Sequence, residues 1–188
     1  MREHFHWQPK TLEEAKEQVC SPSQDDDFWE LGGLKDAETI SSLCRSGRIL
    51  DFGCGVGRVL KHLSHQQADG YEPHEDMRRF AREWMGDTEH VIFASSEDLA
   101  EKRYALIFEN LVWQHNEALR IEADLAVIYR SLEDGGLLAS QGLRIHRGRV
   151  ILRAAGSDEI LLQDVMPSLK NLFRSDGSVC QFSLWRKI

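Results

Sequence analysis

The sequence has no long apolar run, and this bears first on membranes. No segment has the length and uniform apolarity of a membrane span, and residues 1–10 are too polar for a signal peptide. Apolar residues make up 41% of the 188 residues and charged residues 29%, as is ordinary for a globular protein. We therefore expect a single cytoplasmic domain that is large enough to bury a substantial core.

Basic residues are few relative to acidic ones. The chain has 23 lysines and arginines against 31 aspartates and glutamates, which gives a formal net charge of −8 at pH 7. This balance argues against a nucleic-acid backbone as the main partner, because such a partner favours a basic face. The arginine-rich segment 144–153 is most simply a solvated hairpin face. We expect neither a nucleic acid nor a membrane as partner, and the oligomeric state stays open.

Cysteine spacings typical of metal sites are also missing. Cys20, Cys44, Cys54 and Cys180 contain no C-x-x-C pair, so we interpret them as reduced and mostly buried thiols. His62 and His65 lie one helical turn apart, but no third ligand accompanies them, whereas a catalytic zinc usually has three. We expect no metal site.

What the sequence does contain is an alternation of short apolar strands and amphipathic helices. It begins after two predicted N-terminal helices, at residues 11–20 and 34–44. The predicted strands are 49–52, 68–72, 90–93, 104–108 and 137–140, and the helices between them are 59–65, 74–85 and 116–132. This order predicts an α/β fold, a Rossmann-like doubly wound and mostly parallel sheet with helices on both faces.

Three glycines occupy every second position directly after the strand at 49–52. Gly53, Gly55 and Gly57 neither continue a strand nor start a helix well. Ligands of open parallel sheets bind beyond the carboxyl ends of strands, where a turn without side chains lets the backbone approach closely. A dinucleotide site requires G-x-G-x-x-G, so the third glycine comes one residue early here. Asp51, just before the glycines, suits a cofactor with an ammonium or sulfonium group better than a diphosphate.

At these residues the chain resembles the class I S-adenosylmethionine-dependent methyltransferases. Their first motif, acid-x-Gly-x-Gly-x-Gly, is matched by LDFGCGVGR, and their second, an acid ending the next strand, by Glu72 in GYEPHEDM. The resemblance covers residues 29–142. It implies methyl transfer from S-adenosyl-L-methionine, with S-adenosyl-L-homocysteine as product and Glu72 accepting hydrogen bonds from both ribose hydroxyls.

The resemblance also implies a set of cofactor contacts at the carboxyl ends of the first four strands. The family often has an acid after the third strand that pairs with the adenine amino group. Here the aligned position is Ser95, with Glu97 and Asp98 displaced, so Ser95 or Ser96 is the expected adenine contact. The complete set of expected contacts is Asp51, Gly53, Cys54, Gly55, Gly57, Glu72, Pro73, Met77, Ser95, Ser96, Glu97, Asn110 and Leu111.

Catalytic residues are harder to assign. Methyl transfer from a sulfonium depends mainly on alignment, and a base is needed only when the acceptor must lose a proton. Glu109, His115 and His146 are the candidate bases. For His115 we favour a structural role, in which its side chain braces the following helix. The short insertion after the fifth strand favours a small-molecule or carrier-attached acceptor. The alternatives are a protein side-chain methyltransferase, a non-catalytic methyltransferase-like partner subunit and a nicotinamide dehydrogenase.

The single domain divides into three parts in this interpretation. Residues 1–46 form an N-terminal helical segment, and residues 47–142 form the cofactor-binding core. Residues 143–188 contain a hairpin, with strands at 149–153 and 160–162 on either side of Gly156-Ser157-Asp158. A short helix at 165–173 and a final, antiparallel strand at 179–186 complete the sheet.

Overall fold

The structure is a computed structural model, and it describes residues 9–19, 26–99, 101–113, 118–146, 149–153, 159–161 and 172–188. The helices are α1 (Leu12–Val19), α2 (Asp26–Leu43), α3 (Glu75–Met85), α4 (Ser96–Leu99) and α5 (Ala118–Ser131), with a 3₁₀ helix at Leu60–Leu63. The strands are β1 (Ile49–Phe52), β2 (Ala68–Tyr71), β3 (Ile92–Phe93), β4 (Tyr104–Glu109), β5 (Leu132–Ser140), β6 (Leu143–His146), β7 (Arg149–Arg153), β8 (Glu159–Leu161), β9 (Phe173–Val179) and β10 (Phe182–Lys187).

Seven of these strands form one mixed sheet in the order β3-β2-β1-β4-β5-β10-β9. The pairs from β3 through to β5 are all parallel, whereas β10 is antiparallel to both β5 and β9. The strand order reverses between β1 and β4, which creates a crevice at their carboxyl ends. The fold is therefore Rossmann-like and mostly parallel with an antiparallel end, and the predicted fold class is confirmed.

Helices cover both faces of the sheet because the buried side chains of each strand alternate between them. Leu50 and Phe52 pack with Ile121 and Leu125 of α5 on one face. Ile49 packs on the other face in a cluster that contains side chains of α2, the 3₁₀ helix and α3. Side chains two residues apart on a strand lie on the same face of the sheet, so the side chain of Asp51 lies on the face of Ile49, which α2 covers.

Helix α2 begins earlier than predicted and runs through Gly32 and Gly33. A Cβ atom at Gly33 would lie 2.5 Å from the backbone oxygen of Arg58, and one at Gly32 would lie 3.0 Å from the Arg58 Nη1. The sequence predicts a helix that starts after the glycines, since glycine is a weak helix former. Here the lost helical propensity is offset by a close approach between α2 and the chain that follows Gly57.

Gly33→Ala is expected to lower the free energy of unfolding by about 1–3 kcal/mol, because the new methyl group overpacks against backbone. Gly32→Ala is the matched control, since its methyl group meets only the flexible end of Arg58. Urea denaturation of both variants tests this expectation. Equal effects of the two substitutions would contradict it.

The predicted helix after the glycines is also different in the structure. Only the 3₁₀ helix Leu60–Leu63 is present where residues 59–65 were predicted to be helical. Lys61 N–H donates to Gly57 C=O at 3.0 Å, but His62 N–H donates to Val59 C=O at 3.0 Å, so three- and four-residue bonds are mixed. The segment also starts at Val59 without a side-chain cap, so its first N–H groups gain no side-chain acceptor there.

The C-terminal part contains more strands than predicted. The hairpin of β7 and β8 is confirmed, and β6 joins it to form a separate three-stranded sheet. The predicted final strand at 179–186 is wrong in its start, because Val179 ends β9 and Phe182 begins β10. The predicted helix at 165–173 lies outside the described residues apart from its last two, of which Phe173 begins β9.

The described residues contain neither a membrane span nor a cluster of metal ligands, and three of the four cysteines are among them. No described helix is long and apolar enough to cross a bilayer. Within the described ranges, no three histidine, cysteine or acidic side chains are grouped closely enough to hold a metal ion. Cys44 and Cys54 are buried free thiols and Cys180 is an exposed one, whereas Cys20 lies outside the described residues.

Candidate active site

The three glycines form a tight turn at the carboxyl end of β1. Gly53, Gly55 and Gly57 have φ values of 77°, 57° and 78°, a region that favours glycine. A Cβ atom at Gly53 would lie 2.5 Å from Val112 Cγ2, and one at Gly57 would lie 2.6 Å from Met85 Sδ. The turn is thus fixed by backbone conformation and by close packing.

Glu72, at the end of β2, holds this turn in place. Its buried carboxylate accepts a hydrogen bond from Gly55 N–H at 3.0 Å and another from His74 N–H at 2.9 Å. Burial raises the pKa of the Glu72 carboxyl, and the two N–H donors oppose this shift. Since a carboxylate has about four acceptor positions, further positions remain for hydroxyl groups of a ligand.

Asp51 lies in a buried group of acidic side chains beside the turn. Its side chain is interior, and burial is the main reason that its pKa rises to about 8. The positive charge of Arg58 opposes this rise, while the carboxylates of Glu72, Asp36 and Glu109 add to it. Four carboxyl groups thus lie in this region against two arginines, Arg58 acting on Asp51 and Arg78 acting on Glu72, and this excess of acids fits a ligand that carries positive charge.

Glu109, a predicted base, is fully buried at the end of β4. Its Oε1 accepts hydrogen bonds from Gly142 N–H at 2.8 Å and from the hydroxyl of Ser140, and its Oε2 accepts one from Val112 N–H at 3.1 Å. Burial raises the pKa of Glu109, and these donors oppose the shift. The carboxyl group joins the segments after β4 and β5, so the geometry favours a bracing role over that of a base.

The segment after β4 lies directly over the glycine turn. Asn110 Nδ2 donates to Asp36 Oδ2 at 2.9 Å, and Leu111 has a φ of 62°, unusual for a branched side chain. Val112 packs against Gly53. His115 and the side chain of His146 lie outside the described residues, so their predicted roles stay predictions.

The residues predicted to contact adenine lie after β3. Ser95 Oγ accepts from Glu97 N–H at 3.1 Å and donates to the Glu97 carboxylate, which lowers the pKa of this exposed acid. Ser95 is thereby engaged in starting α4, and the half-buried Ser96 is the freer of the two serines. Pro73 is exposed next to Glu72.

Two more predicted contacts, Met77 and Cys54, are buried beside the glycine turn. Met77 is buried, and its Cε lies 3.6 Å from where a Cβ of Gly55 would stand. Cys54 is buried against Gly70, and burial raises the pKa of its thiol further above the usual value. Both side chains shape the turn by packing.

Asp36 and Arg58 were missed by the sequence interpretation. Arg58 Nη2 lies 2.5 Å from Asp36 Oδ2, and both side chains are largely shielded from solvent. The only sequence signal was an acid directly before the apolar Ala37 on α2, together with an arginine directly after Gly57. Neither signal identifies a partner, because the two residues meet only through the packing of α2 on the turn.

Comparison with known proteins identifies the family. A family model described as a methyltransferase domain matches residues 34–158, which is more than half of the chain. The chain belongs to this family. The prediction of a class I S-adenosylmethionine-dependent methyltransferase is thereby confirmed. A comparison with curated protein sequences gives no significant match.

Solved structures with the same fold are many. The N-methyltransferase NodS from Bradyrhizobium japonicum WM9, in complex with S-adenosylhomocysteine, aligns with a TM-score of 0.62 and 14% identity, over 94% of this chain and 96% of NodS. A TehB-like methyltransferase from Corynebacterium glutamicum gives 0.60 and 20%, over 88% and 91%. CalS10, an amino pentose methyltransferase from Micromonospora echinaspora, gives 0.57 and 14%, over 85% and 92%. Because the sequence identities are only 14–20%, these three comparisons show a shared fold.

Proposed function

We propose that the protein transfers the methyl group of S-adenosyl-L-methionine to a small-molecule or carrier-attached acceptor. The observation that carries this proposal is the buried excess of carboxyl groups beside the glycine turn, around Asp51 and Glu72. A sulfonium and an ammonium group both bear positive charge, and their binding there would relieve repulsion among these acids. A dinucleotide diphosphate would increase it.

The roles of individual residues follow from their places around the crevice. Glu72 is proposed to accept the ribose hydroxyls, because its carboxylate is already fixed by Gly55 and His74. Asp51 is proposed to favour the cationic methionine end. The remaining proposed contacts are Gly53, Cys54, Gly55, Gly57, Pro73, Met77, Ser95, Ser96, Glu97, Asn110 and Leu111.

The chain's own part in the reaction is alignment and the exclusion of water. S-adenosylmethionine supplies an activated methyl group when bound. Glu109 fixes the backbone of Val112 and of Gly142, so the ends of β4 and β5 present a rigid border to the crevice. Trp113 is buried beneath this border, where its Nε1 donates to Asp124 Oδ2 at 3.2 Å. His115 remains the proposed base for an acceptor that must lose a proton.

A small acceptor is supported by the structural neighbours. CalS10 is described as acting on an amino pentose, and NodS is described as an N-methyltransferase. The described strands of the insertion after β5 form a three-stranded sheet, and the insertion is short in sequence, which favours a compact acceptor.

The protein is expected to bind S-adenosylhomocysteine with a dissociation constant in the micromolar range, about −8 kcal/mol. Isothermal titration calorimetry measures this directly, and NADH serves as the control ligand that should not bind. An absence of both heat and thermal shift at millimolar S-adenosylhomocysteine would overturn the proposed function.

A further inference from the structure

Asp36 on α2 is a buried meeting point of three separate segments. Its Oδ2 accepts hydrogen bonds from Arg58 Nη2 at 2.5 Å and from Asn110 Nδ2 at 2.9 Å. Its Oδ1 accepts one from Gln181 Nε2, in the turn between β9 and β10. Only 8% of Asp36 is exposed, so these three donors take the place of water.

Two of the donors belong to opposite walls of the crevice. Arg58 follows Gly57 at the end of the glycine turn, and Asn110 is the first residue of the segment that lies over Gly53. The same carboxylate oxygen therefore holds both walls. A change in its position alters the separation between them.

The close approach of α2 to Arg58 keeps the carboxylate in reach. Because Gly33 has no side chain, α2 contacts the Arg58 backbone directly, and Asp36 follows one helical turn later. The third donor, Gln181, ties this point to the end of the sheet. The arrangement is thus built from four segments that are far apart in sequence.

We propose that Asp36 is a positioning residue of the cofactor crevice, which sets the distance between the glycine turn and the segment after β4 by holding Arg58 and Asn110. This inference rests on the proposed function, because it concerns the same crevice. Asp36 acts through its partners, and no contact with the ligand is assigned to it.

A charge-swap experiment tests this role. Asp36→Asn replaces one acceptor oxygen with an amide group that faces donors, and Asn110→Asp brings two carboxylates into contact. Each substitution alone is expected to weaken binding of S-adenosylhomocysteine about tenfold. The combined variant reverses the hydrogen bond to position 110 but not the one from Arg58 Nη2, so its affinity should recover in part, to between that of the single variants and that of the wild type. Glu38→Gln, at an exposed acid on the same helix, is the control.

The affinities are measured by calorimetry well below the melting temperature of each variant. Single variants that melt earlier but bind as tightly as the wild type would overturn the proposal, because Asp36 would then only stabilise the fold. Affinity that is lost in the single variants and not recovered in the combined variant would also overturn it. A wild-type protein that fails to bind S-adenosylhomocysteine would overturn the proposed function and this inference together. If Asp36→Asn alone fails to fold, the affinities of Asn110→Asp and of the combined variant test the proposal in the same way.

Discussion

Glu72→Ala is expected to weaken binding of S-adenosylhomocysteine by at least about two orders of magnitude. The change removes a charged acceptor from the proposed ribose site, where each such hydrogen bond contributes about 1.5–3 kcal/mol. It also removes the acceptor for Gly55 N–H, so the glycine turn loses its link to β2. The effect therefore combines lost contacts with a less ordered site. Calorimetry with purified variants measures it.

Two control variants separate these contributions. Glu72→Gln keeps one acceptor oxygen but loses the charge, so its affinity should fall between those of the wild type and Glu72→Ala. Glu75→Ala removes an exposed acid at the start of α3 and should leave affinity unchanged. If Glu72→Ala binds as tightly as Glu75→Ala does, Glu72 is not the ribose ligand.

Asp51 is expected to make the ligand-free protein less stable as the pH rises. Its pKa in the folded chain is about 8 against an ordinary value of 3.8. Below the lower value the group is protonated in both states and costs nothing. Between the two values the unfolded chain ionises while the folded chain does not, so stability falls until the pH passes the folded pKa. Four pH units at 1.36 kcal/mol each correspond to about 5 kcal/mol.

Asp51→Asn should remove this loss, because the amide does not ionise. The difference in free energy of unfolding between variant and wild type should grow by about 5 kcal/mol from pH 4 to pH 9. Urea denaturation at several pH values tests the expectation. Parallel pH profiles of the two proteins would show that Asp51 titrates normally, and the buried acidic group would then have to be reinterpreted.

The central part of the fold was predictable because its signals are local. β1, β3 and β4 are short and mostly apolar, and the glycine turn and Glu72 directly follow β1 and β2. Motif spacing and strand ends therefore locate the crevice without any knowledge of packing.

The parts that were mispredicted depend on contacts between distant segments. Gly32 and Gly33 look like a break in a helix, and only the presence of Arg58 beneath them explains a continuous α2. Asp36 likewise acquires its importance from Asn110 and Gln181, which no local pattern connects to it. The bracing contacts of Glu109 were likewise hidden from the sequence, because one of its backbone donors, Gly142 N–H, comes from beyond the end of β5, while its role as a base stays a prediction.

The position of β10 between β5 and β9 has a consequence for how the protein folds. β5 pairs with β4 on one side, and its other edge is covered only when β10 docks from far along the chain. Until β10 docks, Leu137, Leu138 and Ala139 present an unpaired, apolar edge to the surroundings. Since such long-range pairing forms slowly, intermolecular pairing competes with docking during refolding. Recovery of native protein should therefore fall as the concentration of refolding chains is raised.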